Sequence, residues 1–306
     1  MKKILLTGVS GQVGHALQQQ LALELADEWQ VVACDRQQLD LTQPEHIRRV
    51  VRDIAPDLII NPAAYTAVDK AESERELADA INATAAGVLA EEAARLKIGL
   101  IHFSTDYVYD GTKNGVYTED DAVNPLSVYG ASKLAGEEAI RRVGLPHLIL
   151  RTSWVYGSYG KNFLKTIIRL AQARENLRIV ADQYGAPTAD IAIARAVTEL
   201  VTRWHPEDAA QTGVYHLVNR GETSWCGFAS EIVAQYRALE TLRGWPALAV
   251  KEIAPIATAE YPTPAKRPAN SRLTTAKLEQ TFGVTLPEWS IALNQVMAEL
   301  VVSVAD

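Results

Sequence analysis

Tyr129 and Lys133 stand four residues apart in the stretch Val-Tyr-Gly-Ala-Ser-Lys at 128–133, downstream of a Ser-Thr-Asp run formed by Ser104, Thr105 and Asp106. In a helix this spacing puts both side chains on one face. An ammonium placed there is expected to pull the phenol below its ordinary pKa of about 10, making Tyr129 a usable proton donor near neutral pH. Taken alone the spacing carries little, because Tyr and Lys fall four apart on many surface helices. Its weight comes from a second feature in the same half of the chain.

That feature is the loop at 7–14, Thr-Gly-Val-Ser-Gly-Gln-Val-Gly, with glycines at Gly8, Gly11 and Gly14. A short apolar run precedes it and an amphipathic segment at 16–25 follows. Glycines in such a loop permit a tight turn and let the backbone approach a pyrophosphate, while the following helix offers unpaired N–H groups to the phosphates. Its Gly-x-x-Gly-x-x-Gly spacing departs from the G-x-G-x-x-G fingerprint and is that of extended short-chain dehydrogenase/reductases. An ordinary glycine-rich turn is the bland alternative for the loop on its own.

The surrounding elements must hold both features at one site. Apolar runs at 4–6, 31–34, 58–60, 100–103 and 148–150 are short and continuous, as strands buried on both faces are. Helical patterns fill the gaps. One starts at Thr42, which caps it, with Glu45 reaching back as a capping box and Pro44 in the first turn; another runs over 74–95. The series predicts an α/β fold, a Rossmann-type doubly wound parallel sheet with ligands at the carboxyl ends of its strands.

Beyond Tyr156 the alternation weakens. Helices are expected at 162–174, 191–203 and, capped by Ser224, to 239, with a strand at 214–218 and a Pro-rich loop at 261–272. The expected organisation is a dinucleotide-binding domain of residues 1–155 with a return segment at about 189–222, and a smaller, discontinuous α/β substrate domain of about 156–188 and 223–306.

With 306 residues, 48% of them hydrophobic, the chain can bury a large core. A net charge of −7 argues against a nucleic-acid surface, and no apolar run approaches the roughly 18 residues of a membrane span. The start, Met1-Lys2-Lys3, leads straight into the first strand, so a cytoplasmic, unprocessed protein is expected. Cys34 and Cys226 read as reduced thiols, and six histidines without ligand spacing give no metal site.

Six segments together resemble the dTDP-4-dehydrorhamnose reductase family: 7–14; Asn-Pro-Ala-Ala-Tyr-Thr-Ala-Val-Asp-Lys-Ala-Glu at 61–72; 104–108; 129–133; Arg-Thr-Ser-Trp-Val-Tyr at 151–156; and Asp-Gln-Tyr-Gly-Ala-Pro-Thr at 182–188. The similarity spans nearly the whole chain. It implies reduction of the C4 ketone of a dTDP-6-deoxy-hexulose by NADPH or NADH, giving dTDP-L-rhamnose for cell-surface polysaccharide. The dTDP-sugar is then the small-molecule partner, with no nucleic acid or membrane involved.

On that resemblance Tyr129 is the proton donor, Lys133 steadies the phenolate and holds the nicotinamide ribose, and Thr105 hydrogen-bonds the reacting oxygen. Gly11, Gln12 and Val13 line the pyrophosphate; Asp35 takes the adenosine ribose and Arg36 can accommodate a 2′-phosphate, so the pair points to both cofactors. Asp40 and Leu41 match adenine contacts, and Ala64, Tyr65 and Thr66 run past the ribose and nicotinamide. Trp154 matches a sugar-contacting residue and Asp106 the partner of Thr105. Lys266, Arg267 and Arg272 supply the basic cluster a diphosphate needs, with Arg267 or Arg272 as its ligand. Pro62 and Tyr65 depart from the family pattern, which commonly has Ala and His there.

Some family members form a magnesium-bridged dimer through three carboxylates. The matching positions here are Ala16, Ile191 and Glu299, so the resemblance implies a monomer or a dimer without a metal bridge. Two alternatives stay open: a reductase of another nucleotide-4-keto sugar, and a non-catalytic nucleotide-binding regulatory subunit of the same fold.

Overall fold

Side-chain alternation along the strands decides how this chain is layered. In β1 (Lys2–Thr7), Ile4 and Leu6 enter one apolar cluster and Leu5 enters another. The edge strand β2 (Trp29–Cys34) follows the rule loosely and is only partly buried. β3 (Leu58–Asn61) sends Leu58 and Ile60 one way and Ile59 the other; β4 (Gly99–Thr105) does the same with Ile101 and Phe103 against Leu100, and β5 (His147–Thr152) with Leu148 and Leu150 against Ile149. The computed structural model describes residues 1–300.

Helices cover both faces. Leu17 and Leu21 of the Gln12–Glu24 helix and Ile193 and Val197 of Asp190–Arg203 close the first. Ile47 and Val51 of Pro44–Ile54, Leu89 of Ala85–Leu96 and Ile140 of Val128–Val143 close the second. The sheet is parallel throughout, in the order Gly213–His216, β5, β4, β3, β1, β2. Strand order therefore reverses at β1, which lies between β2 and β3. Beyond the carboxyl ends of β1 and β3 a crevice opens.

The remaining strands form small pieces. Asn176–Val180 pairs with Glu252–Ile256, Tyr184–Gly185 with Thr223–Ser224 and Asn270–Ser271, and Val155–Tyr156 with Thr188–Ala189. Phe163–Ala173, Trp225–Arg243 and Trp289–Glu299 pack around them, sharing the first apolar cluster through Leu164, Phe228 and Leu293.

Several local expectations change. Thr42 does not cap the next helix: its N–H and hydroxyl both donate to Asp40 Oδ1, at 2.9 and 2.7 Å, and Gln43 takes the cap position ahead of Pro44 without a side-chain bond to the helix. The helix expected over 74–95 is broken into Arg75–Asp79, a π segment Ala80–Thr84 and Ala85–Leu96. The Pro-rich loop contains one ordered pair, Asn270–Ser271, because its backbone completes the Tyr184–Gly185 edge.

Candidate active site

The phosphate loop is shaped by what its glycines exclude. Gly8 has φ +60°, and a Cβ there would lie 2.8 Å from Ala63 Cα, so β1 and the segment after β3 approach only with glycine present. At Gly14 a Cβ would meet Gly8 O at 2.2 Å, which fixes the helix start against the loop. Gly11 is the N-cap of Gln12–Glu24 and brings no side chain to satisfy the first N–H groups. An unsatisfied helix N-terminus facing a cleft is a seat for an anion.

Asp35 and Arg36 follow β2 directly. Asp35 Oδ1 accepts from the N–H groups of Gln37 and Gln38 at 2.8 and 3.0 Å, an Asx-type turn that orients the carboxylate. Bonds from Thr42 and Gln43 hold Asp40 below its ordinary carboxylate range, and Leu41 beside it is buried.

β4 ends in Thr105, whose hydroxyl donates to Asp106 Oδ1 at 3.0 Å and accepts from Tyr107 N–H at 3.2 Å. Burial pushes Asp106 up to about 6, and among the described residues its buried Oδ2 has no hydrogen-bond partner. Ser127 caps the Val128–Val143 helix by accepting from Gly130 N–H. Tyr129 then sits one residue into the helix, edge-on to Tyr107 with ring centres 5.4 Å apart.

The ionisation expected of Tyr129 is not what this surrounding produces. Burial, with a smaller push from the Asp106 charge, raises the phenol to about 12, and the Thr105 hydroxyl is what opposes it. Lys133 does not lower it, because Nζ turns inward and donates to Phe103 O at 2.5 Å. Burial in turn lowers Lys133 to about 8, against the pull of Glu137.

Gly8, Gly11, Gln12, Val13 and Gly14 share one cleft of about 720 Å³ with Asp35, Arg36, Asp40 and Leu41. The same cleft is lined by Ala64, Tyr65, Thr66, Thr105, Asp106, Tyr129, Lys133 and Trp154. Arg267 and Arg272 do not line it, and with Lys266 they make no single basic cluster. Arg267 is paired with Asp69 at 2.8 Å, Arg272 reaches Glu222 at 3.3 Å and Asn270 Oδ1 at 2.8 Å, and Lys266 is exposed. The reason is local charge: each guanidinium has found a carboxylate on another segment.

Three residues that the sequence did not single out complete the site. Asn82, at the centre of the π segment, accepts from Tyr65 N–H at 2.8 Å and donates to Tyr65 O and to Ser132 Oγ, pinning the 65–66 backbone to the catalytic helix. An Asn inside an Ala/Leu helix was its visible signal. Trp225 stacks on Trp154 at 3.7 Å and 14°, while Trp154 itself holds φ +48°, a strained backbone for a non-glycine residue. Lys161 lines the cleft near Gln12, with nothing in its sequence context to mark it.

The chain with this sheet and cleft is similar to known proteins over nearly its whole length. Residues 1–302 fit the model of the RmlD substrate binding domain. The dTDP-4-dehydrorhamnose reductase of Burkholderia thailandensis is 47% identical over 301 residues, covering 97% of this chain and 99% of that protein. The chain belongs to this reductase family. The family's enzyme from Escherichia coli K12 is 43% identical over 307 residues, with 99% of each chain covered. A crystal structure of the Bacillus anthracis dTDP-4-dehydrorhamnose reductase in complex with NADP superposes with TM-score 0.87 at 35% identity, covering 98% of this chain and 100% of that one.

Among the described residues of this member of the reductase family, no helix is long and apolar enough to cross a membrane. Likewise, no group of three or more His, Cys, Asp and Glu side chains is gathered as a metal site. Ala16 is buried in the first apolar cluster and Ile191 packs against it.

Proposed function

We propose that this chain reduces the C4 ketone of dTDP-4-dehydro-L-rhamnose to dTDP-L-rhamnose, using NADPH or NADH. The observation that carries the reading is the convergence of the bare helix start at Gly11, the Asp35 and Arg36 pair, and Thr105, Tyr129 and Lys133 on one cleft. Residues 1–155 with 189–222 form the cofactor-binding part in this reading, and 156–188 with 223–306 the substrate part.

The residues fit the cofactor. Gly11, Gln12 and Val13 would take the pyrophosphate, Asp35 the adenosine ribose, Arg36 a 2′-phosphate where one is present, and Asp40 and Leu41 the adenine. Bound there, a reduced nicotinamide supplies the hydride. Ala64, Tyr65 and Thr66 border its path, and Asn82 keeps that backbone in place.

Tyr129 delivers the proton to the sugar oxygen. A phenol held at about 12 is fully protonated at neutral pH, and the alkoxide developing at C4 is far more basic, so transfer from Tyr129 Oη runs downhill. Thr105 Oγ1 lies beside the phenol and holds the same oxygen. Lys133, charged below about pH 8, holds the nicotinamide ribose and adds a positive charge to the cleft. Trp154, backed by Trp225, gives the sugar a flat wall.

Oxidation of NADPH or NADH on adding the dTDP-4-keto sugar, with dTDP-L-rhamnose recovered as product, tests the assignment. Nucleotide binding without turnover would replace it with the regulatory reading. Turnover of other nucleotide-4-keto sugars in preference would move the substrate.

A further inference from the structure

Behind the cleft, polar side chains are buried at the carboxyl ends of three adjacent strands. Thr7 ends β1, Asn61 ends β3 and His102 lies in β4, and none is more than 1% exposed. They form a chain of contacts. The Thr7 hydroxyl donates to Asn61 Oδ1 at 2.6 Å, Asn61 Nδ2 lies 3.0 Å from His102 Nδ1, and His102 Nε2 lies 3.3 Å from Lys133 Nζ. Buried polar groups gathered with this continuity have a task, since each would cost on the order of 1–3 kcal/mol if left unpaired.

The donor count of the chain fixes its state. Burial, followed by the neighbouring Lys133 charge and by His147, holds His102 well below its usual range, so its ring is neutral with one N–H and one lone pair. An ammonium can only donate. With Lys133 charged, the lone pair must therefore be on Nε2 and the proton on Nδ1. Asn61 must then turn its amide over, O and NH₂ being nearly equal in shape, so that the carbonyl oxygen faces the ring and the NH₂ faces Thr7, whose hydroxyl accepts. The amide orientation in which Thr7 donates to Oδ1, as the structure has it, places the proton on Nε2 and is compatible only with an uncharged Lys133 amine. Which way Asn61 faces is thus coupled to whether Lys133 carries its charge.

We propose that His102 is a positioning residue for Lys133: its Nε2 accepts one ammonium N–H, with the tautomer locked by Asn61 and Thr7, so that Lys133 stays charged and aimed in a site that would otherwise discharge it. Phe103 O takes a second N–H, and the third is directed by elimination toward the cleft. The other charges near Lys133 do not replace this contact. Glu137, one turn along the same helix, favours the ammonium, but both its oxygens are engaged by Arg151 of β5, at 2.9 and 2.6 Å, and Oε1 also accepts from Ser104 of β4. His147 of β5 is itself shifted toward its neutral form. The inference rests on the reading of Lys133 as a catalytic cation, and its test separates the two.

The first measurement needs no variant. ¹⁵N NMR of the His102 ring should show a neutral imidazole protonated on Nδ1 between pH 5 and 7.5; a proton on Nε2 there overturns the proposal. The second follows the Lys133 side-chain ¹³Cε resonance with pH in wild type, His102→Gln and His102→Phe, each checked for folding by thermal melting. Loss of the acceptor in His102→Phe should lower the Lys133 midpoint by about one pH unit, and the Gln carbonyl should restore it. An unchanged midpoint in a folded His102→Phe overturns the proposal; if that variant does not fold, a Gln variant retaining the wild-type midpoint supports the contact and the ring measurement decides the tautomer. The alkaline limb of kcat should move with the midpoint. A midpoint that moves without the limb leaves His102 in its role and removes Lys133 from the chemistry.

Discussion

Glu72 Oε1 accepts the backbone N–H of Val128 at 2.9 Å, across 56 residues of sequence. Val128 is the first residue of the helix that carries Tyr129 and Lys133, so a carboxylate from the Ala-Val-Asp-Lys-Ala-Glu segment holds the positive end of that helix. The contact sets the helix start, and through it the reach of Tyr129. Glu72→Ala should lower kcat roughly ten- to a hundredfold through misplacement, with cofactor affinity little changed. Glu72→Gln keeps an acceptor oxygen and should recover most of the rate. Unaltered kcat in the alanine variant would show that Ser127 alone positions the helix.

Tyr129→Phe removes one hydroxyl from a partly buried ring that also packs edge-on to Tyr107. Folding and cofactor binding should survive while turnover falls by at least about 10²-fold. Since the phenol is held near 12, its own titration should be absent from the rate profile of the wild-type enzyme around neutrality. Lys133 has its pKa lowered to about 8, so its charge is present below that value and lost above it, and the alkaline limb should fall there. A kcat that stays flat through pH 9 would contradict this assignment.

The Asp35 and Arg36 pair predicts use of both cofactors within about a tenfold range, equivalent to 1.4 kcal/mol. Gln37 and Gln38 already donate to Asp35 Oδ1, which steadies the carboxylate for a ribose without demanding either cofactor. Arg36→Ala should raise the KM for NADPH and leave that for NADH nearly unchanged. Equal losses would place Arg36 away from the 2′-phosphate.

What could be read from the sequence was whatever has a period or a motif. Four of the five strand cores showed as apolar runs because both faces are buried, β2 showed as one although only partly buried at the sheet edge, and the glycine loop showed because Gly8 and Gly14 leave no room for a Cβ. Contacts between distant segments left no such trace. Asn82 works through a π segment whose register only the packed helix reveals, and Trp225 meets Trp154 across some 70 residues. Thr42 had the pattern of a capping box, yet Asp40 offered its hydroxyl a nearer partner. The Lys133 effect on Tyr129 was inferred from spacing on one helix, whereas Phe103 O and His102 on β4 decide where the ammonium points.

Arg267 and Arg272 were grouped by proximity in sequence, and their partners now separate them. Arg267, paired with Asp69, faces Tyr107, a cleft residue whose phenol it helps to hold down against burial. Arg272 is turned toward Glu222. A substrate diphosphate entering beside Tyr107 would meet Arg267, so Arg267→Ala should raise KM for the nucleotide sugar about tenfold or more, and Arg272→Ala much less. The reverse order would assign the diphosphate to Arg272.

Asp190 begins the Asp190–Arg203 helix, where the helix dipole favours a carboxylate, yet burial outweighs that and, with the nearby Glu299 charge, raises it to about 7. The Ile191 N–H donates to its Oδ1 at 2.8 Å. A raised carboxyl pKa means its stabilising neutral form is fully present below the unfolded value of 3.8 and is lost as pH rises through about 7. The folded protein should therefore weaken between about pH 4 and pH 7. Asp190→Asn keeps an oxygen for Ile191 N–H and removes the titration, so at pH 8 it should be the more stable form by roughly 2–4 kcal/mol, with little advantage at pH 4. Asp106, raised to about 6 and present in both proteins, leaves a smaller slope in the variant. Glu299→Gln should recover part of the gain on its own. Melting curves of wild type and Asp190→Asn that run parallel from pH 4 to pH 8 would mean that Asp190 ionises without cost, and that its burial is relieved in solution.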